Sequence, residues 1–266
     1  MRILITNDDG VQAEGLLALK QALDTIAEVT VLAPDRPRSA CGHSITLHKP
    51  LRLVSVTLAD GSAAWAASGT PADCVTLGVL DLMQHAPPDF VISGINHGPN
   101  LGWDLTYSGT VSAAMEGVIL GIPSVALSVA WRFRLVVEDE AVKPPPLDFS
   151  YAAAYARDLV LHLCEHPLPA HTLLNVNVPY YQPTGLRVTH QGIRRYPAKL
   201  DRRLDPMGRP YYWIGGDDPV DVHEEGSDVA AIADGAISVT PVQLDLTDYR
   251  LAEKLRAEFL HDVVQV

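Results

Sequence analysis

A chain of 266 residues, 47% hydrophobic and 20% charged, carries enough apolar surface for a sizeable core without covalent or metal staples. Its formal charge of −12 opposes broad attraction to nucleic-acid backbone or anionic lipid, which excludes polymeric nucleic acid and membrane surfaces as partners; an anionic ligand would need a local cation or a helix N-terminus. Cys41, Cys74 and Cys164 are widely spaced with no CxxC pair, which argues against a disulfide framework or a thiolate zinc site and suits a reducing cytoplasm.

In chain order, Ile3-Leu4-Ile5-Thr6 reads as a buried strand that stops at Asn7-Asp8-Asp9-Gly10. Adjacent carboxylates repel, so two at one strand end call for positive charge beside them, most simply a divalent cation. Glu14 to Ile26 places Leu16, Leu17, Leu19, Leu23 and Ile26 largely on one helical stripe, and Glu28 to Ala33 reads as a second strand, giving a βαβ opening. The segment Pro34 to Ser44 is then a loop at the same sheet end as Asp8. Leu51 to Leu58 and Ala63 to Ala67 form a hairpin pattern around Asp60-Gly61. Thr70-Pro71 opens a helix expected to reach about Met83.

Asp89 to Ser93 reads as a third core strand running into a glycine-rich loop, Gly94 to Gly102. Ser108 is a natural cap for a small-residue helix over 112–120, and Ile122 to Val129 reads as a fourth parallel strand. Trp131 to Pro146 has no clear period and reads as an excursion before a helix over Tyr151 to Cys164 and a strand over Thr172 to Val178. Beyond Pro179 the texture changes. Gly185 to His190, Tyr211 to Ile214 and Ile237 to Val242 read as strands, Arg194 to Pro210 as basic and irregular, and Thr247 to Val264 as an amphipathic closing helix with Leu251, Leu255, Phe259 and Val263 on one stripe. The expected architecture is α/β, a Rossmann-like three-layer core with a mostly parallel sheet over 1–182, followed by an extension over 183–266. No apolar run approaches the length of a membrane span, and the first strand begins within two residues, so a cytoplasmic protein is expected.

The loops at the strand ends supply Asp8 and Asp9 as carboxylates, Ser39 as a hydroxyl and Asn96 as an amide oxygen. Hard oxygen donors with little histidine suit magnesium or manganese over zinc. Ser108-Gly109-Thr110 at a helix start offers amides, hydroxyls and a dipole to phosphate, and His43, Ser44 and His97 are candidate substrate contacts. Each element also has an ordinary structural reading: Asp-Asp-Gly as a turn, Asn96 as a left-handed turn residue, the two histidines as loop braces, Ser108 as a cap. Neither GxGxxG after the first strand nor GxxxxGK[ST] occurs, which removes the main support for a dinucleotide oxidoreductase or a P-loop NTPase.

The ordered blocks TNDDG (6–10), APDR (33–36) with Ser39, GHSIT (42–46), GTPADCV (69–75), SGIN (93–96), NLG (100–102) and YSGTV (107–111) resemble the SurE family of stationary-phase survival proteins. LLNVNVP (173–179), YYW (211–213) and SVTP (238–241) extend that resemblance across most of the chain. The resemblance implies a divalent-metal-dependent 5′-nucleotidase acting on nucleoside monophosphates, with 3′-nucleotidase and exopolyphosphatase activities as extensions. It also implies one Mg²⁺ or Mn²⁺ per subunit on Asp8, Asp9, Ser39 and Asn96, a phosphate-side motif at Ser108-Gly109-Thr110, and a homodimer or homotetramer exchanging C-terminal elements; the catalytic candidates are then Asp8 and Asp9, either of which would steer or deprotonate the attacking water. Two rivals stay open: a nucleotide- or metal-binding regulator without turnover, and an aspartyl-phosphate phosphatase with Asp8 as nucleophile, against which the adjacency of the two acids argues.

Overall fold

The computed structural model describes residues 1–131, 147–197, 199–215 and 219–262. Most of the segment read as an excursion, residues 132–146, therefore lies outside the described residues, as do Val263 and the side chain of Phe259.

The strand Arg2–Thr6 (β1), with Ile3, Leu4 and Ile5 as its apolar run, lies near the centre of a nine-stranded sheet among the described residues. Ile3 and Ile5 pack into one hydrophobic cluster and Leu4 into another on the opposite face, as alternation along a doubly covered strand requires. The helix Glu14–Leu23 (α1) buries Leu16, Leu19 and Leu23 on the first face, and Glu28–Pro34 (β2) then pairs parallel with β1. The hairpin read around Asp60-Gly61 is present: Leu53–Thr57 (β3) and Ala63–Ala67 (β4) pair antiparallel, and β4 lies parallel to β2.

The helix after Thr70 is shorter than its pattern suggests. Pro71–Leu77 (α2) opens on a capping box in which Thr70 Oγ1 accepts the Asp73 N–H and the Asp73 carboxylate accepts the Thr70 N–H. It then widens into a π turn over Gly78–Leu82. Gly78 faces Leu4 so closely that a Cβ would fall 2.6 Å from that side chain, so packing against β1 shapes this end of the helix.

Phe90–His97 (β5) pairs with the other edge of β1 and continues four residues beyond the expected end at Ser93. Its ladder with Ser124–Ala130 (β6) slips between Ser93 and Asn96, so the stretch read as a loop is partly a bulged strand end. A 3₁₀ turn, Gly102–Thr106, leads to Gly109–Ile119 (α3), which packs on the face opposite α1. Ser150–Glu165 (α4) returns to the α1 face, and Thr172–Pro179 (β7) is parallel to β6. The result is three layers, with the sheet in the middle.

The later strands Leu186–Val188 (β8) and Ile237–Gln243 (β13) complete the same sheet, whose order is β3-β4-β2-β1-β5-β6-β7-β13-β8. The region read as irregular is in fact ordered. Ile193–Arg195 (β9) pairs with Val220–Val222 (β12), and Leu200–Leu204 (β10) pairs with Pro210–Ile214 (β11) as a hairpin. Two-stranded ribbons of mostly exposed residues lack the one-sided apolar period that marks a strand in sequence. A short helix capped by Ser227, Asp228–Ala233 (α5), also went unread. Tyr249–Asp262 (α6) closes the chain. Among the described residues no helix is long and apolar enough to cross a membrane.

β2 lies on one side of β1 and β5 on the other. The carboxyl ends of β1 and β5 therefore flank a topological switch point, where open α/β sheets form a ligand crevice.

Candidate active site

β1 ends in a tight turn in which buried Asn7 accepts the Gly10 N–H (3.1 Å) and donates Nδ2 to the Gly10 carbonyl (3.0 Å). Gly10 has φ of +101°, and a Cβ there would press on the Arg36 backbone at 3.3 Å, so glycine is required. Asp8 emerges from this turn only 6% exposed. Its Oδ1 accepts the Thr110 hydroxyl at 2.5 Å. The N-terminus of α3 is thus aimed at a side-chain carboxylate of the protein itself. Burial pushes the Asp8 carboxyl up to about 6, the charge of Asp9 adds to that rise, and the Thr110 donors oppose it.

Asp9 is half-buried, and its Oδ2 accepts the His97 N–H at 3.0 Å. Asn96, where the β5–β6 ladder resumes opposite Ser128, donates Nδ2 to the Gly98 carbonyl at 2.7 Å, which leaves its amide oxygen as the free end. The loop beyond is pinned at Asn100. Its N–H goes to Asn177 Oδ1 (2.8 Å), its Nδ2 to Ser128 Oγ (2.8 Å), and its carbonyl accepts from Asn175 and Asn177, each at 2.9 Å. Exposed Ser39 follows β2 in a loop held at several points. The Arg38 N–H donates to the Asp8 carbonyl (2.7 Å), the Gly42 N–H to the Tyr107 carbonyl (2.9 Å), and the Thr46 N–H and hydroxyl to the two Asp73 oxygens (2.9 and 2.6 Å).

Asp8, Asp9, Ser39 and Asn96 line one cavity of about 1080 Å³, together with His97 and Ser108. Gly109 and Thr110 stand behind Asp8: a Cβ on Gly109 would approach Asp8 Cβ to 2.7 Å, and Ser108 Oγ accepts the Val111 N–H as the α3 cap. His43 and Ser44 lie outside the cavity lining. His43 Nε2 meets Glu116 Oε2 on α3 at 2.9 Å, while the Ser44 carbonyl accepts the Thr70 hydroxyl at 2.7 Å, so both brace the Ser39 loop. Sequence reasoning missed the opposite wall, formed by Asp104 and Tyr107 from the 3₁₀ turn and by Tyr196, Leu200 and Ile214 from the extension. The aromatic and basic texture of 194–214 was the available signal.

The donor set fits a hard divalent cation. Two like charges are held side by side against burial, and an amide oxygen and a hydroxyl face the same space. Among the described residues no group of three or more His, Cys, Asp or Glu gathers, so the donors on offer to a cation are the two carboxylates, the amide oxygen, the hydroxyl and water.

A family signature described as Survival protein SurE matches residues 3–198. The chain belongs to the SurE family. This SurE chain is 49% identical over 260 residues to the 5′-nucleotidase SurE of Pelotomaculum thermopropionicum, an alignment covering 96% of this chain and 94% of the relative. It is 50% identical over 261 residues to the 5′-nucleotidase SurE of Desulforudis audaxviator, covering 96% of each. The crystal structure of the SurE protein from Aquifex aeolicus matches with a TM-score of 0.81 at 40% identity, covering 98% of this chain and 100% of that one.

Proposed function

We propose that this protein is a divalent-metal-dependent 5′-nucleotidase that releases phosphate from nucleoside 5′-monophosphates, with the reaction centred on Asp8, Asp9, Ser39 and Asn96. The observation that carries the site assignment is the convergence of these four oxygen-bearing side chains, from three strand ends, on one cavity. A phosphomonoester dianion entering beside Asp8 and Asp9 would be repelled by them, so the site works only with compensating positive charge. A bound Mg²⁺ or Mn²⁺ supplies that charge, polarises a phosphate oxygen and acidifies water. Asp8, Asp9, Asn96 and Ser39 would hold it.

The chain's own groups account for the remaining roles. Asp8 is immobilised by the Thr110 hydroxyl and by the close approach of Gly109, so it fixes the cavity floor. Asp9 spends Oδ2 on the His97 amide and keeps Oδ1 for the cavity, which suits it to orient a water and accept its proton as the water oxygen attacks phosphorus and the phosphorus–oxygen bond to the 5′-carbon side breaks. The proton that the departing nucleoside oxygen needs comes from solvent through the open mouth of the cavity. The buried, hydrogen-bonded state of Asp8 counts against its use as a covalent nucleophile, and a phosphorylated Asp8 trapped during turnover would reverse that conclusion.

The deciding experiment incubates the protein with AMP, GMP, a 3′-monophosphate, polyphosphate and a generic phosphatase substrate, with Mg²⁺, with Mn²⁺ or with EDTA. Phosphate release only with metal supports the enzyme, and binding without release supports a regulator. Asp9→Asn is expected to lower kcat by about 10²–10⁴-fold, the range supplied by a positioned proton acceptor, and unchanged metal-dependent turnover would refute the role. The exposed apolar hairpin β10–β11, with Leu204, Trp213 and Ile214 in water, and the outlying α6 favour a homodimer or homotetramer assembled through the extension. Sedimentation as a monomer at all practical concentrations would refute that part. The unpaired Cys41, Cys74 and Cys164 favour a cytoplasmic location.

A further inference from the structure

The cavity is far larger than a phosphate group needs, and its acidic end is only a fraction of its lining. Part of the remaining wall comes from the extension, and one buried ion-pair cluster ties that part to the core. Arg194 on β9 has a side chain only 9% exposed. It forks onto Asp221, its directly opposed partner on β12, through Nε at 2.7 Å and Nη2 at 3.1 Å, and Nη1 reaches Asp104 at 2.9 Å. One guanidinium thus links the 3₁₀ turn to the β9–β12 ribbon, beside the bonds from Gln191 to the Gly102 carbonyl and from Gly102 and Gly192 to Asp228. A planar fork makes the Arg194 bonds simultaneously, which an ammonium group does not.

Tyr196 follows two positions after Arg194, just past the end of β9. The residue is 55% exposed, and it lines the cavity beside Asp104, the carboxylate that Arg194 holds. An aromatic ring half open to a cavity is a stacking platform, and stacking on a nucleobase does not depend on the edge pattern of the base.

We propose that Tyr196 is the specificity-determining residue for the nucleoside half of the substrate and that Arg194 is the positioning residue that holds it there, an inference that rests on the nucleotidase reading. A phosphomonoester without a base gains nothing from this wall. Nucleotides and simple phosphate esters are therefore separated by the β9–β12 ribbon, while the bond-breaking groups belong to the core.

The test compares kcat/KM for AMP with kcat/KM for glycerol 2-phosphate, under the same metal, in the wild type and in Tyr196→Phe, Tyr196→Ala and Arg194→Lys. Loss of one stacked base corresponds to roughly tenfold or more, so the AMP-to-glycerol-phosphate ratio is expected to fall at least about tenfold in Tyr196→Ala, through KM for AMP, and to stay within about threefold of wild type in Tyr196→Phe, which keeps the ring. Arg194→Lys is expected to lower the ratio as Tyr196→Ala does. If Arg194→Lys does not fold, the two Tyr196 variants decide. A high wild-type ratio that Tyr196→Ala leaves unchanged, or an equal loss on both substrates, overturns the proposal and spares the nucleotidase reading. A wild-type ratio near one overturns both.

Discussion

Gly109→Ala isolates the fit between α3 and the catalytic strand. The new methyl group would lie 2.7 Å from Asp8 Cβ and 2.9 Å from its Oδ2, with Cys41 Sγ at 3.1 Å. The thiol can turn aside, but Asp8 Cβ belongs to the strand end and its carboxylate is tied to Thr110 at 2.5 Å. Carbon atoms rest at about 3.5 Å or more, so helix and strand must part by about 0.8 Å. Overpacking of this kind costs about 1–3 kcal/mol, or a fall in Tm of roughly 2–4 °C for each kcal/mol in a chain of this size. A displacement of about 1 Å at a reacting group costs on the order of 10²-fold in rate, so kcat/KM for AMP is expected to fall about that far. Helix propensity alone predicts the opposite sign for stability, since alanine is favoured over glycine by up to about 1 kcal/mol. Gly185→Ala, where a Cβ meets nothing within 4 Å, is the control for thermal melts and steady-state kinetics measured side by side. A Gly109→Ala protein with unchanged or raised Tm and wild-type kcat/KM would refute the packing argument.

Thr110→Val keeps the side-chain shape but removes the hydroxyl donor from buried Asp8, and hydrogen bonds to charged groups contribute about 1.5–3 kcal/mol, so denaturant melts should show a loss of that order together with reduced turnover. Chelation with EDTA should abolish phosphate release and lower Tm, and Mn²⁺ or Mg²⁺ should restore both; activity surviving exhaustive chelation would count against a cation at Asp8 and Asp9. The hydrogen bond from His43 holds Glu116 below the usual carboxylate range, with Thr76 assisting and burial opposing. A lowered folded-state pKa contributes stability above the unfolded value of 4.5, which is lost as pH falls through the folded value. The wild type should therefore lose Tm more steeply than Glu116→Gln below about pH 4.5, and parallel curves would show that this pair contributes nothing measurable.

Much of the fold was legible because its strands carry strong local signals. β1, β2, β6 and β7 are apolar runs ending in turn residues, and α1 has a clean apolar stripe. Asp8 and Asp9 were legible because two carboxylates at the end of a buried strand are costly without a purpose. Asn96 was legible as an oxygen donor, but the bulge that delivers it from inside β5 was not, since a ladder slip leaves no periodic trace. His43 and Ser44 stood in the right loop, yet which side of a loop faces a cavity depends on distant partners, here Glu116 and Thr70. The wall at Tyr196 was hidden for the same reason. Its position depends on Asp104 and Asp221, which lie 92 and 25 positions away in the chain.

Asn100 carries a consequence for how the protein comes into being. Its backbone and side chain are satisfied by Ser128 on β6 and by Asn175 and Asn177 on β7, up to 77 positions later in the chain. The four oxygen donors all lie within the first hundred residues, yet the loop bearing Asn96, which meets β6 at Ser128 and Val129, gains its remaining partners only when β7 has joined the sheet. A nascent chain that has not reached β7 would carry the reactive groups without their arrangement, with buried amides at Asn100 left unpaired. Loop closure over such a separation comes late in folding, after the local helices and the first βαβ unit. The loop that carries Asn96 is therefore fully held only once β7 has paired with β6.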